Sequence, residues 1–255
     1  MTTSALRVCA VIPTYDNPRT IAAVVEGVRA VVDEVIVVDD GSAAAGRREV
    51  ERLHASGLVH AVFRPRNGGK GAAVKDGLRE AFARGFSHAL QVDADGQHTL
   101  ADAPRLLAAA REQPDALVLG APIYDATAPR SRLIGRRITQ FWTNLEVGRG
   151  VIDDPMCGFR VYPLAAATAV DVPANRMDFD IEIAVRMVWW GTKVVNVPTA
   201  VRYVSADEGG VSHFRMWGDN LRISWMHTRL VQRKVFGRLF GPLLRLLGWS
   251  WNGRR

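Results

Sequence analysis

Five apolar runs of strand length alternate with helical stretches over the first 120 residues, and nothing else constrains the fold as tightly. The runs are VCAVI (8–12), EVIVV (34–38), VHAVF (59–63), HALQV (88–92) and DALVLG (115–120). Each is mainly apolar and rich in β-branched or aliphatic residues rather than strictly alternating with polar ones. That pattern predicts strands buried on both faces: a mainly parallel sheet covered by helices, an α/β fold. Helical patterns fill the intervals at about 19–31, 71–84 and 101–112, and in the second of these Ala72, Leu78, Ala81 and Phe82 fall at core spacing. Pro13 is expected to stop the first strand. The polar segments PTYDN, DDGS, RNGGKG and DADGQH each follow a run, at the strand end where open α/β sheets bind ligands.

The segment LQVDADGQH places Asp93, Asp95 and Gln97 at alternate positions. In an extended chain those side chains point the same way. Oxygen donors on one face suit a hard cation, Mg²⁺ or Mn²⁺, which prefers carboxylates and water and often bridges to substrate phosphates. His98 adds a ligand if the metal is Mn²⁺. The plainer alternative is a polar turn whose acids cap the next helix.

Taken in order and at these spacings, PTYDN, VVDDGS, NGGKGAAVKDG and DADGQH resemble the family 2 glycosyltransferases. DDPMCGFRVY and FDIEIAVRMVWWGTKVVNVP are similar to the branch of dolichyl- and polyprenyl-phosphate mannosyl- and glucosyltransferases. The resemblance runs over about residues 8–204. It implies a GT-A fold, a nucleotide-sugar donor, a divalent cation and inverting transfer. The expected organisation is one GT-A domain over 1–210, with a donor half to about 120 and an acceptor half from about 121. A basic amphipathic helical extension follows over 211–255.

On the donor side, the loop of Pro13, Thr14 and Tyr15 stands beside the second strand end, where the resemblance implies that Tyr15 and Asp40, with Asp39 beside them, line a nucleoside pocket. A turn followed by a Ser42 cap would equally explain DDGS. Asp16 and Asn17 read as helix caps. The glycines of RNGGKG allow close backbone approach, the next helix offers its positive N-terminus, and Lys70 supplies a point charge for phosphate. The spacing is not that of a G-x-x-x-x-G-K-[ST] phosphate loop. The resemblance places Asp93 near the donor sugar and ribose, and makes Asp95 the surer metal ligand, with Gln97 reaching the same ion. Thr99 and Leu100 stand where close relatives often carry prolines.

On the acceptor side, a hydroxyl needs a general base, whereas a lipid phosphate is already ionised and needs cations. Arg130, Arg132, Arg136 and Arg137 precede DDPMCGFR, and Arg160 closes it. In the resembling enzymes such arginines and a serine hold the lipid phosphate. Here Cys157, a weaker donor, occupies the serine position. Asp154 is the first candidate base for a hydroxyl acceptor, and Asp180 and Glu182 of FDIE are the second, against a capped helix start.

The net charge of +7 is concentrated at the end of the chain, where Arg215, Arg222, Arg229, Arg233, Lys234 and Arg238 face a single acid, Asp219. Interleaved Trp217, Leu221, Trp225, Leu239 and Trp249 describe an interfacial helix, and residues 213–255 are expected to touch an anionic membrane. A helix pair packed on the domain is the alternative. No apolar stretch reaches the length of a span, no leader is visible at the N-terminus, and two cysteines, Cys9 and Cys157, suit a reducing compartment. These features predict a cytoplasmic enzyme, peripheral on the membrane, acting on a lipid-linked acceptor. The alternatives are a hydroxyl acceptor with the same donor chemistry, and a non-enzymatic nucleotide- or nucleic-acid-binding protein. The last lacks any recognisable nucleic-acid module, so no nucleic-acid partner is expected.

Overall fold

The computed structural model describes residues 6–123, 130–201 and 216–246, and the side chains of these except residues 130–132, 216 and 241–246. Seven strands form one sheet: β1 (Val8–Thr14), β2 (Glu34–Asp39), β3 (His60–Phe63), β4 (His88–Gln91), β5 (Leu117–Ile123), β6 (Arg160–Pro163) and β7 (Val194–Ala200). The order is β3-β2-β1-β4-β6-β5-β7. All pairings are parallel except those of β6, which runs antiparallel to both β4 and β5. The sheet is thus mainly parallel, as expected, with one reversed strand. That reversal brings the loop before Arg160 to the same edge as the C-terminal end of β4, because Gln91 pairs with Arg160.

The helices are α1 (Ile21–Arg29), α2 (Ala44–Ala55), α3 (Lys70–Ala83), α4 (Ala103–Glu112), α5 (Arg130–Val147), α6 (Leu164–Ala169), α7 (Phe179–Trp190) and α8 (Met216–Leu246). Strand side chains alternate between two cores. Ala10 and Ile12 of β1 join Val24 and Val28 of α1 and Leu106 of α4 on one face. Cys9 and Val11 join Val74 and Leu78 of α3 and Phe179 and Ile183 of α7 on the other. A smaller cluster packs Ile181 and Val185 of α7 against Ile223, Met226 and Leu230 of α8.

Three local expectations are corrected. The first strand does not stop at Pro13 but runs on to Thr14, paired with β2. Val11, of the same parity as Pro13, accepts from Val92 N on the β4 side, and the β1–β4 pairing ends at Val11, so the missing N–H of Pro13 leaves no ladder bond unmade. Phe82 is not in the core but 49% exposed. The buried row of α3 is Val74, Gly77, Leu78 and Ala81, and one further residue turns the side chain off that face. KVVNVP enters β7 at Val194, the strand runs on to Ala200, and Val201 bridges to His98. Residues 93–97 do not continue β4. The strand ends at Gln91 and the chain turns, with Gly96 at φ +72°.

Candidate active site

The four polar loops converge at the C-terminal ends of β1 to β4, where strand order reverses about β1. In the β1 loop, Asn17 Oδ1 accepts from Thr14 Oγ1 and Tyr15 N at 3.4 Å, and Pro13 and Thr14 are buried with Tyr15 half-buried. Asp16 and Ser42 tie two loops together instead of capping helices. Asp16, at φ +51°, accepts from Ala43 N, just ahead of α2, at 2.7 Å, whereas Ser42 Oγ accepts from Asp16 N at 2.9 Å. Ser42 therefore pins the β1 loop instead of capping a helix.

Asp39 and Asp40 turn inward. Asp39 is fully buried and accepts from Ser42 N at 3.1 Å and Arg47 at 3.3 Å. Asp40 accepts from Gly68 N at 2.9 Å, Gly69 N at 2.7 Å and the Arg64 guanidinium, which also binds Asp76 at 2.8 Å. Two amides of the glycine loop that were expected to meet a phosphate are thereby engaged by Asp40. Gly69 stands at φ +99°, and a Cβ there would fall 2.6 Å from Asn175 O. Only glycine lets this loop seat against the segment before α7.

Lys70, the first residue of α3, sits between two carboxylates. Its ammonium lies 2.7 Å from Asp93 and 2.7 Å from Asp180. Burial opposes that charge, but Asp180 and Asp93 outweigh it and hold the ammonium above its ordinary range. Burial likewise opposes the Asp93 carboxylate, and Lys70 and His98 nonetheless push its pKa well below the usual carboxylate range. Asp180 is buried at the start of α7 and accepts from Gln91 Nε2 at 3.3 Å, and Gln91 Oε1 in turn accepts from Tyr162 Oη at 3.1 Å. A polar chain thus runs from the sheet through Asp180 and Lys70 to Asp93.

Asp95 is half-buried, with Oδ1 accepting from Gln97 N at 3.0 Å. Burial and then the neighbouring Asp93 raise its carboxyl above the ordinary range. Thr20 Oγ1 donates to Ala94 O at 2.6 Å, and Ala200 N donates to Asp102 at 2.8 Å, so α1 and β7 brace the loop from either side. Gly158 packs directly on Asp93: a Cβ at that glycine would fall 2.2 Å from Asp93 Oδ2.

The acceptor-side residues divide. Arg136 of α5 pairs with Asp154, whose other oxygen accepts from Met156 N at 2.8 Å. The side chain of Arg132 lies outside the described residues. Cys157 and Arg160, expected to face an acceptor, turn into the protein. The Cys157 thiol is buried, points to Phe159 O at 3.9 Å, and is pushed by that burial up to about 12. Arg160 is fully buried and spends its guanidinium on Cys157 O at 2.8 Å and Asp180 O at 2.8 Å. Glu182 is fully buried as well, accepting from Ala174 N at 3.0 Å, Arg186 at 2.7 Å and Arg229 at 3.4 Å. Glu182 therefore ties α7 to α8, away from the Lys70 cluster.

A model described as Glycosyl transferase family 2 matches residues 9–163, more than half of the chain. The chain belongs to glycosyl transferase family 2. Polyprenol monophosphomannose synthase of Mycolicibacterium smegmatis is 29% identical over 226 residues, which cover 85% of this chain and 83% of the relative. Undecaprenyl-phosphate mannosyltransferase of Micrococcus luteus is 29% identical over 203 residues, covering 76% and 82%. Glucosyl-3-phosphoglycerate synthase of Mycobacterium tuberculosis bound to uridine diphosphate superposes with a TM-score of 0.62 at 20% identity, over 92% of this chain and 80% of that one. The same synthase with Mn²⁺ and UDP-glucose gives 0.58 at 20% identity, over 92% and 79%. These superpositions establish the GT-A fold.

The donor loop of this glycosyltransferase fits a divalent cation. Asp93 and Asp95 are like charges held close together, and His98 Nδ1 is buried without a hydrogen-bond partner. Among the described residues no group of three or more His, Cys, Asp and Glu side chains is placed to cage a metal. Gly158, Gln91 and Tyr162 escaped sequence reasoning. Gly158 stood inside a recognised motif, but only the fold shows that Asp93 lies against it.

Proposed function

We propose that this glycosyltransferase moves a hexose from a UDP- or GDP-linked donor to a lipid-linked acceptor, polyprenyl phosphate, with inversion and with a divalent cation. One observation carries the choice of acceptor. The three candidate bases for a hydroxyl acceptor are already occupied: Asp154 by Arg136, Asp180 by Lys70, and Glu182 by Arg186 and Arg229. An acceptor that arrives ionised needs none of them. The relatives named for polyprenol and undecaprenyl phosphate point the same way.

In this reading Lys70 offers its ammonium to the donor diphosphate while keeping Asp93 in place. Asp95 and Asp93, with Gln97 and His98 beside them, would hold Mg²⁺ or Mn²⁺, which would supply Lewis-acid stabilisation of the departing nucleotide. Tyr15 and the Asp39–Asp40 turn shape the nucleoside end. Arg136, with Arg132 on the same helix, draws the acceptor phosphate to the Asp154 loop. A phosphate oxygen attacks the anomeric carbon, the bond to the diphosphate breaks, and its electron pair leaves with the nucleoside diphosphate. The enzyme works at a membrane surface through α8. No described helix is long and apolar enough to cross a membrane.

The test is nucleotide release from UDP-glucose and GDP-mannose with Mn²⁺ or Mg²⁺, with and without polyprenyl phosphate in detergent. Release that depends on polyprenyl phosphate is expected. Release stimulated only by a hydroxyl acceptor would replace the lipid phosphate, and the failure of either donor to bind would overturn the reading.

A further inference from the structure

One face of the β4–β6 ladder carries a polar patch inside an otherwise apolar core. Gln91 of β4 stands opposite Arg160 of β6, and Tyr162 is its diagonal neighbour two residues on. All three are fully buried, and Ala89, Phe179 and Ile183 belong to the apolar cluster on the same side of the sheet. Asp180 of α7 meets this patch and is itself buried. Exposure rises from none at Tyr162 and Gln91 to 15% at the Lys70 side chain and 21% at that of Asp93, so the chain of polar groups comes to the surface at the donor site.

Donor and acceptor roles along this chain are fixed from its buried end. A guanidinium has N–H donors and no acceptor. Arg160 donates to Tyr162 Oη at 3.4 Å, so the tyrosine turns its own hydrogen to Gln91 Oε1 at 3.1 Å. With its oxygen taken, the Gln91 amide presents its NH₂ to Asp180 Oδ1 at 3.3 Å. The reversed amide would set an oxygen against the carboxylate. The other oxygen of Asp180 faces Lys70 Nζ at 2.7 Å, and Lys70 reaches Asp93 at 2.7 Å. Folding alone does not call for this arrangement. Apolar side chains of similar shape would fill a buried face at little or no loss of stability.

We propose that Tyr162 and Gln91 are positioning residues for Lys70. They fix the Asp180 carboxylate, and that carboxylate sets how the ammonium is shared between its two acids and a donor diphosphate. The proposal deepens the function proposed above and rests on its reading that Lys70 meets the diphosphate. The Gln91 amide takes up part of the charge of Asp180 and holds its orientation. Without that N–H, Lys70 is the described side chain left to hydrogen-bond the carboxylate. The ammonium is then drawn toward Asp180 and away from Asp93 and a bound phosphate. Attraction between charges is steep in a buried site, so a small displacement of the ammonium weakens its hold on a diphosphate.

The test is a cycle in the full chain: Q91L/Y162F, D180N, and the three changes together. Two quantities are read. One is metal-free binding of UDP and of GDP by titration calorimetry. The other is the Lys70 Nζ signal in the NMR spectrum of protein labelled with nitrogen-15 lysine, identified by its absence in K70R. Q91L/Y162F should weaken nucleotide binding by about tenfold, a coupling of the size that residues in one network show, and should shift the Lys70 signal. Its urea midpoint should stay near that of the wild type, because both members of a hydrogen-bonded pair become apolar. In the D180N background the same two changes should move neither quantity. Equal effects with and without Asp180 would overturn the proposal, since the pair would then act through the fold. Unchanged binding and an unchanged Lys70 signal in folded Q91L/Y162F would overturn it as well. If the double change prevents folding, Y162F alone, which keeps the ring, enters the same cycle with the same expected loss of effect in D180N. A wild type that binds neither nucleotide would sink the donor reading, while the Lys70 signal would still decide whether Tyr162 and Gln91 hold the lysine.

Discussion

Gly158 offers the sharpest test of the donor site, because a single methyl group there strikes a single carboxylate. A Cβ built at Gly158 meets Asp93 Oδ2 at 2.2 Å, Cγ at 2.5 Å and Oδ1 at 2.5 Å, whereas ordinary contact begins at 3.4 Å. Asp93 or the 157–159 loop must therefore give way by about 1.2 Å, the difference between 3.4 and 2.2 Å. Asp93 cannot move without losing the Lys70 ammonium at 2.7 Å. The glycine's φ lies outside the left-handed range, so alanine brings no backbone strain of its own. A displacement of about 1 Å in a reacting constellation costs on the order of a hundredfold in rate. Gly158→Ala should therefore lower kcat by about two orders of magnitude, measured as nucleotide release at saturating donor. The thermal midpoint should fall by only a few degrees, as for a loss of about 1 kcal/mol. Wild-type kcat in a folded Gly158→Ala protein would refute the placement of Asp93. An equal loss of activity and of folded protein would leave the effect in the fold rather than in the site, against the argument.

The other predictions probe the charges. Asp95→Ala should abolish metal-dependent turnover with the circular dichroism unchanged, and normal turnover would remove Asp95 from the metal site. Asp180→Asn takes away one of the two carboxylates on Lys70. A unit charge at this range is worth up to about 4 kcal/mol, so metal-free binding of nucleoside diphosphate should tighten by about tenfold in titration calorimetry. Weaker binding would mean that Asp180 itself meets the ligand. Glu182→Leu strands Arg186 and Arg229 and should destabilise the protein by about 3–5 kcal/mol in urea unfolding; lost activity at unchanged stability would instead restore it as a catalytic base. His88, buried with Nε2 at 2.8 Å from Pro114 O, has its pKa pulled by burial below the ordinary 6.5. The unfolded chain binds that proton more readily, so stability is complete above about pH 6.5 and falls as the pH drops through the folded value. His88→Asn should flatten that acid-side slope in urea midpoints taken from pH 8 to 5, and an unaltered slope would show that His88 is not its source.

Much of the fold was legible because burial leaves a mark in one dimension. A strand covered on both faces is mostly apolar, and VCAVI, VIVV and LVLG are. The reversed strand β6 leaves no such mark. RVYP is short, and its direction follows from how the chain returns after α5, a tertiary outcome that no local period encodes. Phe82 shows the limit of periodicity from the other side. One step along α3 separates Ala81, fully buried, from Phe82, half exposed, and an apolar side chain at the rim of a face reads the same as one inside it.

At the site, residue types were readable and their partners were not. Acids after a strand end announce a ligand, but a carboxylate can serve a ligand or its own scaffold, and only distance separates the two. Asp40 was expected to reach a nucleoside and holds the amides of Gly68 and Gly69; Arg160 was expected to hold a phosphate and crosslinks backbone carbonyls within the core. In both cases the scaffold claimed the charge because a buried loop with unpaired amides or carbonyls costs more than an open site without its ligand. The converse holds for Lys70. The Lys70 ammonium lies 2.7 Å from each of two carboxylates, so the cluster keeps one net negative charge, and the lysine separates the two acids before any donor arrives. A donor diphosphate that brings its own cation adds little net charge to that cluster. On the proposed reading the pair would enter and leave with Lys70 still between Asp93 and Asp180, so the two acids would never face each other unscreened, a protection that a lysine standing alone in the loop would not give.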